Sequence, residues 1–392
     1  MPRPLSSLIR PYLQQVHPYI PGKPVAELRR ELGVGPEVEI IKLASNENVL
    51  GVSPKALEVL RSAIHDVWLY PEDSVFYLKR ALAEFHEVTP EHIFVGNGGV
   101  ATLMDLGRVL LDPTDHAVAA SPSFMKYRIV SQWSHGDATP LTEEHFTAVH
   151  HPDHIHDVEA MGRAINSRTK IVWVCNPNNP TGQMLTAAEI ERLLELNDNR
   201  AMVVLDEAYF DFVEPGHDYP DSLQYLRAGH HVAIMRTLAK IAGLAGLRMG
   251  YLIAPPTLVE YLERIRLTFS VNRLAQEASV AALSDEDFKQ RSRELVWTEK
   301  QWYYARLDAL GWGYKQTQAN YIWIHLGAGM DSRAFTDQLA RRGVIIRPGW
   351  IFGEPEWIRV TFGTRAMNEK FFAAAEAVWA SMAPPAQLHA QV

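Results

Sequence analysis

The stretch "HVAIMRTLAKIAGLAGLRMGYLIAPP", residues 231–256, decides how this chain folds. It begins and ends with short apolar runs, and such runs predict two strands. The loop between them carries Lys240 among small apolar residues and Arg248 eight positions later. From this loop alone, two interpretations of Lys240 are open. A half-buried lysine that extends its head to water is the commoner, and a desolvated lysine whose free amine attacks a carbonyl is the other.

Similar apolar runs precede this stretch and alternate with segments of helical periodicity. The runs are HIFVGN, HAVAASP, KIVWVCNP and AMVVLDEAY, and the helical segments are ATLMDLGRVLL, SFMKYRIVSQW and AAEIERLLELN. This alternation predicts an α/β fold with a mostly parallel sheet, helices on both faces, and ligands beyond the carboxyl ends of the strands.

After residue 256 the pattern changes. A nearly uninterrupted helical pattern runs from Leu274 to Leu310, and the runs NYIWIHL, GVIIRP and WIRVTFG then alternate with helices. This order predicts a smaller α+β domain packed on the first. We therefore expect a large domain at residues 46–255, and a small domain built from residues 256–392 together with residues 1–45, which include an N-terminal arm.

Composition limits the classes of function. The 392 residues are 47% hydrophobic and carry a formal net charge of -8 without a run of basic residues, which argues against a nucleic-acid binder and favours small-molecule chemistry. No apolar run has the length of a membrane span. The single cysteine, Cys175, excludes an intrachain disulfide. We expect a cytoplasmic protein that binds neither membrane nor nucleic acid.

A glycine-rich segment, GNGGVAT at residues 96–102, follows one strand and opens a helix. Backbone N–H groups at such a helix start can hold a phosphate. The segment also matches the G-x-G-x-x-A dinucleotide pattern, but the next strand ends AASPSF without the acidic residue that a dinucleotide site needs. We therefore predict a single phosphate group as the ligand, with a simple tight turn as the alternative.

Three charged residues lie in apolar strand patterns. Asp206 ends the run VVLD, where a carboxylate is costly unless a cation such as a protonated pyridine nitrogen faces it; capping the next segment is the alternative. Arg347 and Arg359 are suited to bind carboxylate or phosphate, and structural ion pairs are equally open for each. The turn NPNNPTG, residues 176–182, is more specific than an ordinary Asn-Pro turn.

A histidine cluster, HHPDHIH at residues 150–156, has no cysteine partners and no helical histidine spacing. We predict a solvated loop there and assign no metal.

Taken in order, the motifs resemble one family along almost the whole chain. They are RPYLQQVHPYIPGKP, KLASNENVLG, YPEDSVFYLKRAL, NPNNPTG, LDEAYFDF, RTLAKIAGLAGLRMGY, IIRPG and IRVTFGT. Their order and spacing resemble the pyridoxal-phosphate aminotransferases of fold type I, and within them the histidinol-phosphate branch. The resemblance implies a seven-stranded, mostly parallel sheet in the large domain.

The resemblance also implies a pyridoxal 5'-phosphate site. Lys240 would form a Schiff base with the cofactor and then carry a proton at the substrate α-carbon, while Asp206 would keep the pyridine nitrogen protonated. The other implied cofactor residues are Gly98, Gly99, Val100 and Arg248 at the phosphate, Phe124 on the ring face, and Asn179 and Tyr209 at the phenolic oxygen.

On the substrate side, the resemblance implies that Arg359 binds the α-carboxylate and Arg347 a second anionic group, with Asn179 also in this pocket. It further implies a homodimer in which Tyr70 reaches the neighbouring cofactor phosphate and Tyr19 lines the neighbouring substrate pocket. Ala239 stands where the family commonly has serine. Gly99, Val100 and Ala101 stand where the family usually has Ser or Ala, then Asp and Glu.

The implied reaction exchanges an amino group between glutamate or 2-oxoglutarate and histidinol phosphate or imidazole acetol phosphate, in histidine biosynthesis. An aromatic amino-acid aminotransferase of the same fold is the alternative, and a threonine-phosphate decarboxylase is a further one. A cofactor-sensing domain of a transcription regulator would need a basic DNA-binding module, which the sequence lacks.

Overall fold

The computed structural model of the chain describes residues 3–9, 13, 20–134 and 142–382. The strands in this part of the chain are β1 Ile41–Lys42, β2 Ile93–Gly96, β3 His116–Ser121, β4 Phe146–His150, β5 Thr169–Cys175, β6 Met202–Asp206, β7 Val232–Arg236, β8 Gly250–Ile253, β9 Tyr314–Lys315, β10 Tyr321–His325, β11 Val344–Ile345, β12 Arg347–Pro348 and β13 Trp357–Thr361.

The α-helices of the same part are α1 Val25–Leu32, α2 Pro54–Ala63, α3 Phe76–Phe85, α4 Gly99–Leu110, α5 Lys126–Ser134, α6 Val158–Ala164, α7 Ala187–Asn197, α8 Ser222–Arg227, α9 Pro256–Ile265, α10 Arg273–Leu283, α11 Glu286–Leu310, α12 Ser332–Ala340 and α13 Arg365–Met382. Among these helices none is long and apolar enough to span a membrane.

Seven strands form a large sheet in the order β2-β8-β7-β6-β5-β3-β4. All neighbours pair in parallel except β8, which runs antiparallel to β2 and β7. The central strands are buried along almost their whole length, as expected for a parallel sheet covered on both faces. The α/β fold with a mostly parallel seven-stranded sheet is thus confirmed.

A small sheet of four antiparallel strands, in the order β12-β13-β10-β9, forms from residues 314–361. Strand β1 pairs in parallel with β11, so residues 41–42 join this part of the fold. The division into a large domain at 46–255 and a small domain from the remainder stays a proposal.

The helical pattern predicted from Leu274 to Leu310 contains a break. Helix α10 ends at Leu283, and α11 begins at Glu286 after the N-cap Asp285, whose side chain accepts from the backbone of Phe288. The same carboxylate accepts a hydrogen bond from the hydroxyl of Ser53 at 2.5 Å. Because this cap partner lies far away in sequence, the periodicity alone does not show where the first helix ends.

The carboxyl edge of the large sheet is where the functional residues gather. Strand β2 ends there at Gly96, and the antiparallel β8 begins there at Gly250, its register partner. Gly250 packs against the start of α4 so closely that a Cβ on it would lie 2.4 Å from the backbone nitrogen of Gly99. The glycine-rich turn before α4 therefore depends on the absence of a side chain in β8.

We expect Gly250→Ala to destabilise the fold by about 1–3 kcal/mol, because the added methyl must displace the backbone of the neighbouring turn. Gly246→Ala is the matched control, since nothing lies within 4 Å of a Cβ at Gly246, and it should change the free energy of unfolding by less than about 1 kcal/mol. Urea denaturation measures both. Equal effects of the two substitutions would contradict this account of the Gly250 contact.

Candidate active site

A cavity of about 190 Å³ opens at the carboxyl edge of the large sheet, facing the small sheet. Its wall includes most of the residues predicted from the sequence. These are Gly99, Val100, Phe124, Asn179, Asp206, Tyr209, Lys240, Arg248, Arg347 and Arg359. Residues that are far apart in sequence therefore converge on one space.

Lys240 lies in the loop between β7 and β8, and its Nζ donates a hydrogen bond to the backbone oxygen of Ser45 at 2.9 Å. Burial and the positive charge of Arg359 lower the pKa of Lys240 to about 8. A lysine with this pKa has a far larger neutral fraction near neutral pH than an exposed lysine. Of the two interpretations of Lys240, the structure therefore favours the desolvated amine over a head extended to water.

Asp206 ends β6 as a buried carboxylate, 3% exposed. Its Oδ2 accepts a hydrogen bond from the hydroxyl of Tyr127 at 2.7 Å, and its Oδ1 accepts one from the backbone of Ala208 at 3.2 Å. Burial raises the pKa of Asp206 to about 6, against the opposing effect of these hydrogen bonds. A cation placed beside the carboxylate would favour its ionised form.

Glu207, the residue after Asp206, stabilises the end of β6 through a buried ion pair. Glu207 accepts a hydrogen bond from Nε of Arg236 at 2.8 Å in a buried ion pair. The guanidinium of Arg236 also lies 4.1 Å from the centroid of the Phe210 ring. Because its partners come from neighbouring strands and the following turn, this ion pair fixes the backbone on which Asp206 sits.

The start of α4 and Arg248 form a corner suited to an anion. Gly98 precedes the helix at φ 86°, and a Cβ there would lie 2.5 Å from Nη2 of Arg248. Free N–H groups at the helix start and a guanidinium therefore meet at one point. The hydroxyl of Thr102 does not supply a further donor to this corner, because it donates to the backbone oxygen of Gly98 at 3.3 Å.

Tyr209 is another residue of the cavity wall. Its hydroxyl accepts a hydrogen bond from Nδ2 of Asn46 at 3.0 Å and a longer one from Nδ2 of Asn179 at 3.4 Å. Burial raises the pKa of Tyr209, so its hydroxyl stays protonated and has a hydrogen left to donate. The turn NPNNPTG thus brings Asn179 beside Tyr209 at the cavity.

Two buried arginines project from the small sheet into the same cavity. Arg347 on β12 and Arg359 on β13 are register partners in an antiparallel pair, so their side chains lie on one face of the sheet. Arg359 donates to the side-chain oxygen of Asn179 and to the backbone oxygen of Ala44, while its buried Nε has no partner. Arg347 donates to the backbone oxygen of Ile20 at 2.5 Å.

Of the described residues predicted from the sequence, Tyr70 and Gly98 are not part of the cavity wall, although Gly98 directly precedes Gly99 in that wall. Tyr70 is 79% exposed and stacks on Phe269, with ring centroids 4.6 Å apart. Tyr19 lies outside the described residues. Both were predicted to act on a neighbouring subunit, so their roles stay predictions.

The histidine cluster is only in part the solvated loop that the sequence predicts, because His150, Pro152 and Asp153 are exposed but two of its imidazoles are buried. His154 and His156 are 5% and 6% exposed, and His154 contacts Trp323 of the small sheet. The polar sequence of residues 150–156 does not show that tertiary contacts bury these two histidines. Within the described residues there is no group of three or more His, Cys, Asp or Glu side chains that could hold a metal ion.

Residues 38–374 match the family described as aminotransferase class I and II. The chain belongs to this family. The resemblance and the prediction that the protein is an aminotransferase are thereby confirmed.

Individual relatives of this aminotransferase agree with the family match. A histidinol-phosphate aminotransferase of Moorella thermoacetica is 44% identical over 366 residues, which cover 93% of this chain and 91% of the relative. The crystal structure of a histidinol-phosphate aminotransferase from Sinorhizobium meliloti in complex with pyridoxal-5'-phosphate has a TM-score of 0.84 at 24% identity, covering 96% of this chain and 98% of that one.

The fold alone does not separate the reactions in this family. The crystal structure of an L-threonine-O-3-phosphate decarboxylase from Porphyromonas gingivalis has a TM-score of 0.75 at 21% identity, covering 86% of this chain and 99% of that one. Substrate must therefore be argued from the residues in the cavity.

Sequence reasoning missed three polar residues of this aminotransferase's cavity region. They are Asn46, which binds the Tyr209 hydroxyl; Tyr127, which binds Asp206; and Thr237, which lines the cavity and donates to the backbone oxygen of Met249 at 2.8 Å. Asn46 and Thr237 lie inside the quoted motifs KLASNENVLG and RTLAKIAGLAGLRMGY, and Tyr127 is three residues after Phe124. The signal was therefore present, but only the contacts distinguish these residues from their neighbours.

The electrostatics of Lys240 can be tested on cofactor-free protein. Amine labelling of Lys240, followed against pH by mass spectrometry, should have a midpoint near the pKa of about 8. Arg359→Met should raise this midpoint, because removal of a nearby positive charge favours the ammonium form. Arg347→Met is the matched control and should leave it close to the wild-type value. A wild-type midpoint near 10.5, the ordinary pKa of lysine, would refute the burial argument.

Proposed function

We propose that this aminotransferase uses pyridoxal 5'-phosphate to move the amino group between histidinol phosphate and 2-oxoglutarate, with imidazole acetol phosphate and glutamate as the other pair. The pair of buried arginines carries the proposal. Histidinol phosphate has no carboxylate, and its one anionic group is a phosphate that can bear two negative charges. Arg347 and Arg359, adjacent on one sheet face and both lining the cavity, are matched to such a dianion.

The residues of the cavity fit pyridoxal 5'-phosphate. The corner formed by Gly98, Gly99 and Arg248 suits the phosphate of the cofactor, and the buried Asp206 suits a protonated pyridine nitrogen. Lys240 has the lowered pKa that an amine needs to react with an aldehyde. When bound, the cofactor supplies an electron sink for the charge that develops at the substrate α-carbon.

The remaining chemistry comes from the side chains. Lys240 Nζ takes and returns the proton of the substrate α-carbon, for which a pKa near neutrality is favourable. The hydroxyl of Tyr209 and the side chain of Asn179 hold the phenolic oxygen of the cofactor, and Phe124 covers the ring. Arg359 binds the α-carboxylate when glutamate is the donor.

Ala239 removes one hydroxyl from the phosphate region relative to the common family pattern. Thr237 lies two residues earlier on the cavity wall, and its hydroxyl accepts from the backbone of Ala239 at 3.1 Å. Because the single hydrogen of this hydroxyl is donated to the backbone oxygen of Met249, we propose that the phosphate site depends on Arg248 and the backbone N–H groups at the start of α4.

We also propose that the protein is a homodimer in the cytoplasm. The dimer is supported by an exposed apolar patch around residues 67–70, where Trp68 and Tyr70 are 78% and 79% exposed. The cytoplasm is supported by the single cysteine, Cys175, which is buried.

The donor is identified by mixing the cofactor-loaded protein with one amino compound at a time and following the cofactor's absorbance. We expect histidinol phosphate and glutamate to bleach it quickly and phenylalanine to act far more slowly. Fast bleaching by phenylalanine with an inert histidinol phosphate would identify an aromatic aminotransferase instead. Release of labelled carbon dioxide from threonine phosphate would identify the decarboxylase.

Two variants locate the source of this preference. Arg347→Ala should weaken the apparent affinity for histidinol phosphate about ten- to a hundredfold and leave that for phenylalanine nearly unchanged, since only the phosphate needs the second guanidinium. Lys240→Ala should lower turnover by about a thousandfold or more. If Lys240→Ala retained the turnover of the wild type, the proposed function would be refuted.

The dimer is tested by sedimentation velocity. We expect wild-type protein to sediment at twice the monomer mass and Trp68→Asp to shift it toward monomers, because a charge would be buried in an apolar contact. Val38→Asp, at an exposed apolar residue outside the patch, is the control and should remain dimeric. A monomeric wild-type protein at micromolar concentration would contradict the proposal.

A further inference from the structure

The histidine segment between β4 and α6 is not used by the proposed reaction, yet one of its residues is buried in an unusual conformation. His154 has φ 60°, and its backbone N–H donates to the oxygen of His151 at 2.8 Å. Non-glycine residues adopt a positive φ only uncommonly, histidine more often than most. What the buried imidazole can position therefore depends on its contacts.

Those contacts come from the small sheet and the turn before β13. Nε1 of Trp323 donates a hydrogen bond to Nδ1 of His154 at 3.2 Å. An imidazole that accepts at Nδ1 carries its proton on Nε2, and this nitrogen lies 3.3 Å from the Glu354 carboxylate. Burial lowers the pKa of His154 to about 4, so the ring is neutral at neutral pH and can make both contacts. We name the three side chains together the His154 contact.

The His154 contact adjoins the arginine that faces the donor. Trp323 on β10 is the register partner of Arg359 on β13, so the two side chains lie side by side on one face of the small sheet. The ring of Phe352 packs edge-on against Trp323 at 5.8 Å and lies 5.7 Å from the guanidinium carbon of Arg359. Arg359 therefore lies beside Trp323, which His154 contacts directly, and beside Phe352, which packs against Trp323.

Glu354 provides a second route to the same place. Its backbone N–H donates to the oxygen of Gly349 at 3.1 Å, which closes the turn that carries Phe352. A Cβ on Gly349 would lie 2.3 Å from the backbone oxygens of Glu354 and Trp357, so the turn is tightly packed. By contacting the carboxylate of Glu354, His154 ties this turn to the loop that follows β4.

We propose that His154 is a positioning residue for donor binding: through Trp323 and Glu354 it fixes Arg359 and Phe352 against the cavity. This inference rests on the proposed function in one respect, the binding of the donor's anionic group by Arg359. Among the cofactor residues, Asn179 contacts Arg359 directly, whereas Lys240 and Asp206 lie on other elements. Because Arg359 keeps its charge, which lowers the pKa of Lys240, loss of the His154 contact should weaken donor binding and leave the limiting rate close to that of the wild type.

The experiment follows the cofactor's absorbance in loaded protein over a range of donor concentrations, with histidinol phosphate and glutamate in separate series. We expect His154→Ala to raise the concentration for half-maximal bleaching rate about tenfold for both donors, the order expected for loss of the Trp323 hydrogen bond together with the contact to the Glu354 carboxylate. The limiting rate and the absorbance spectrum before mixing should match the wild type.

Three further variants separate positioning from general stability. His154→Gln keeps a donor for Glu354 and should recover most of the affinity. Glu354→Ala should weaken binding as His154→Ala does, and the double variant should add little to either because both act through one contact. His151→Ala is the matched control in the same loop, since its imidazole accepts only a local hydrogen bond from the backbone of Asp153, and it should behave as wild type.

An unchanged half-saturating concentration in folded His154→Ala, or a loss confined to the limiting rate, would overturn the inference. If His154→Ala does not fold, Glu354→Ala decides it by the same criterion, with His154→Gln as the variant that should stay close to the wild type. A wild-type protein that is bleached by glutamate and not by histidinol phosphate would refute the proposed donor, and the glutamate series would then decide the role of His154 by itself.

Discussion

Burial of charge without a protein counter-ion is the constraint on which this site depends. Asp206 and Arg359 are buried and Lys240 is half-buried, and in the described part of the chain none of the three has an oppositely charged side chain within 4.0 Å. Removing such groups from water costs several kcal/mol each unless a ligand replaces the lost interactions. The strands and the loop after β7 keep these three side chains apart. The cavity between them can therefore bind a ligand that carries both positive and negative groups.

The layers behind the cavity explain how these charges are held in place. Tyr127 fixes one oxygen of Asp206, and the ion pair between Glu207 and Arg236 fixes the backbone that follows. Each partner lies on a different element, so the site is complete only when these elements are packed together. Preorganisation of this kind allows buried groups to act without reorganisation during the reaction.

Much of this arrangement could be predicted from sequence because it follows from local patterns. The apolar runs gave the six strands around the cavity, and the order of the motifs gave the family. Tertiary contacts determine the rest. Strand β4 follows a polar segment without alternation, the break before α11 depends on Ser53, and the burial of His154 depends on Trp323. No local periodicity encodes such partners.

The antiparallel direction of β8 allows both ends of the loop between β7 and β8 to contribute residues to the cavity. Since β7 arrives at the carboxyl edge and β8 departs from it, the loop between them starts and finishes beside the cavity. Thr237 and Lys240 come from its first half, and Arg248 from its last residues. A parallel crossover would have carried the chain away after a single turn. Because β8 is antiparallel, this one short loop contributes residues to the cofactor site from both of its ends. The length of the loop and the spacing between Lys240 and Arg248 are therefore coupled.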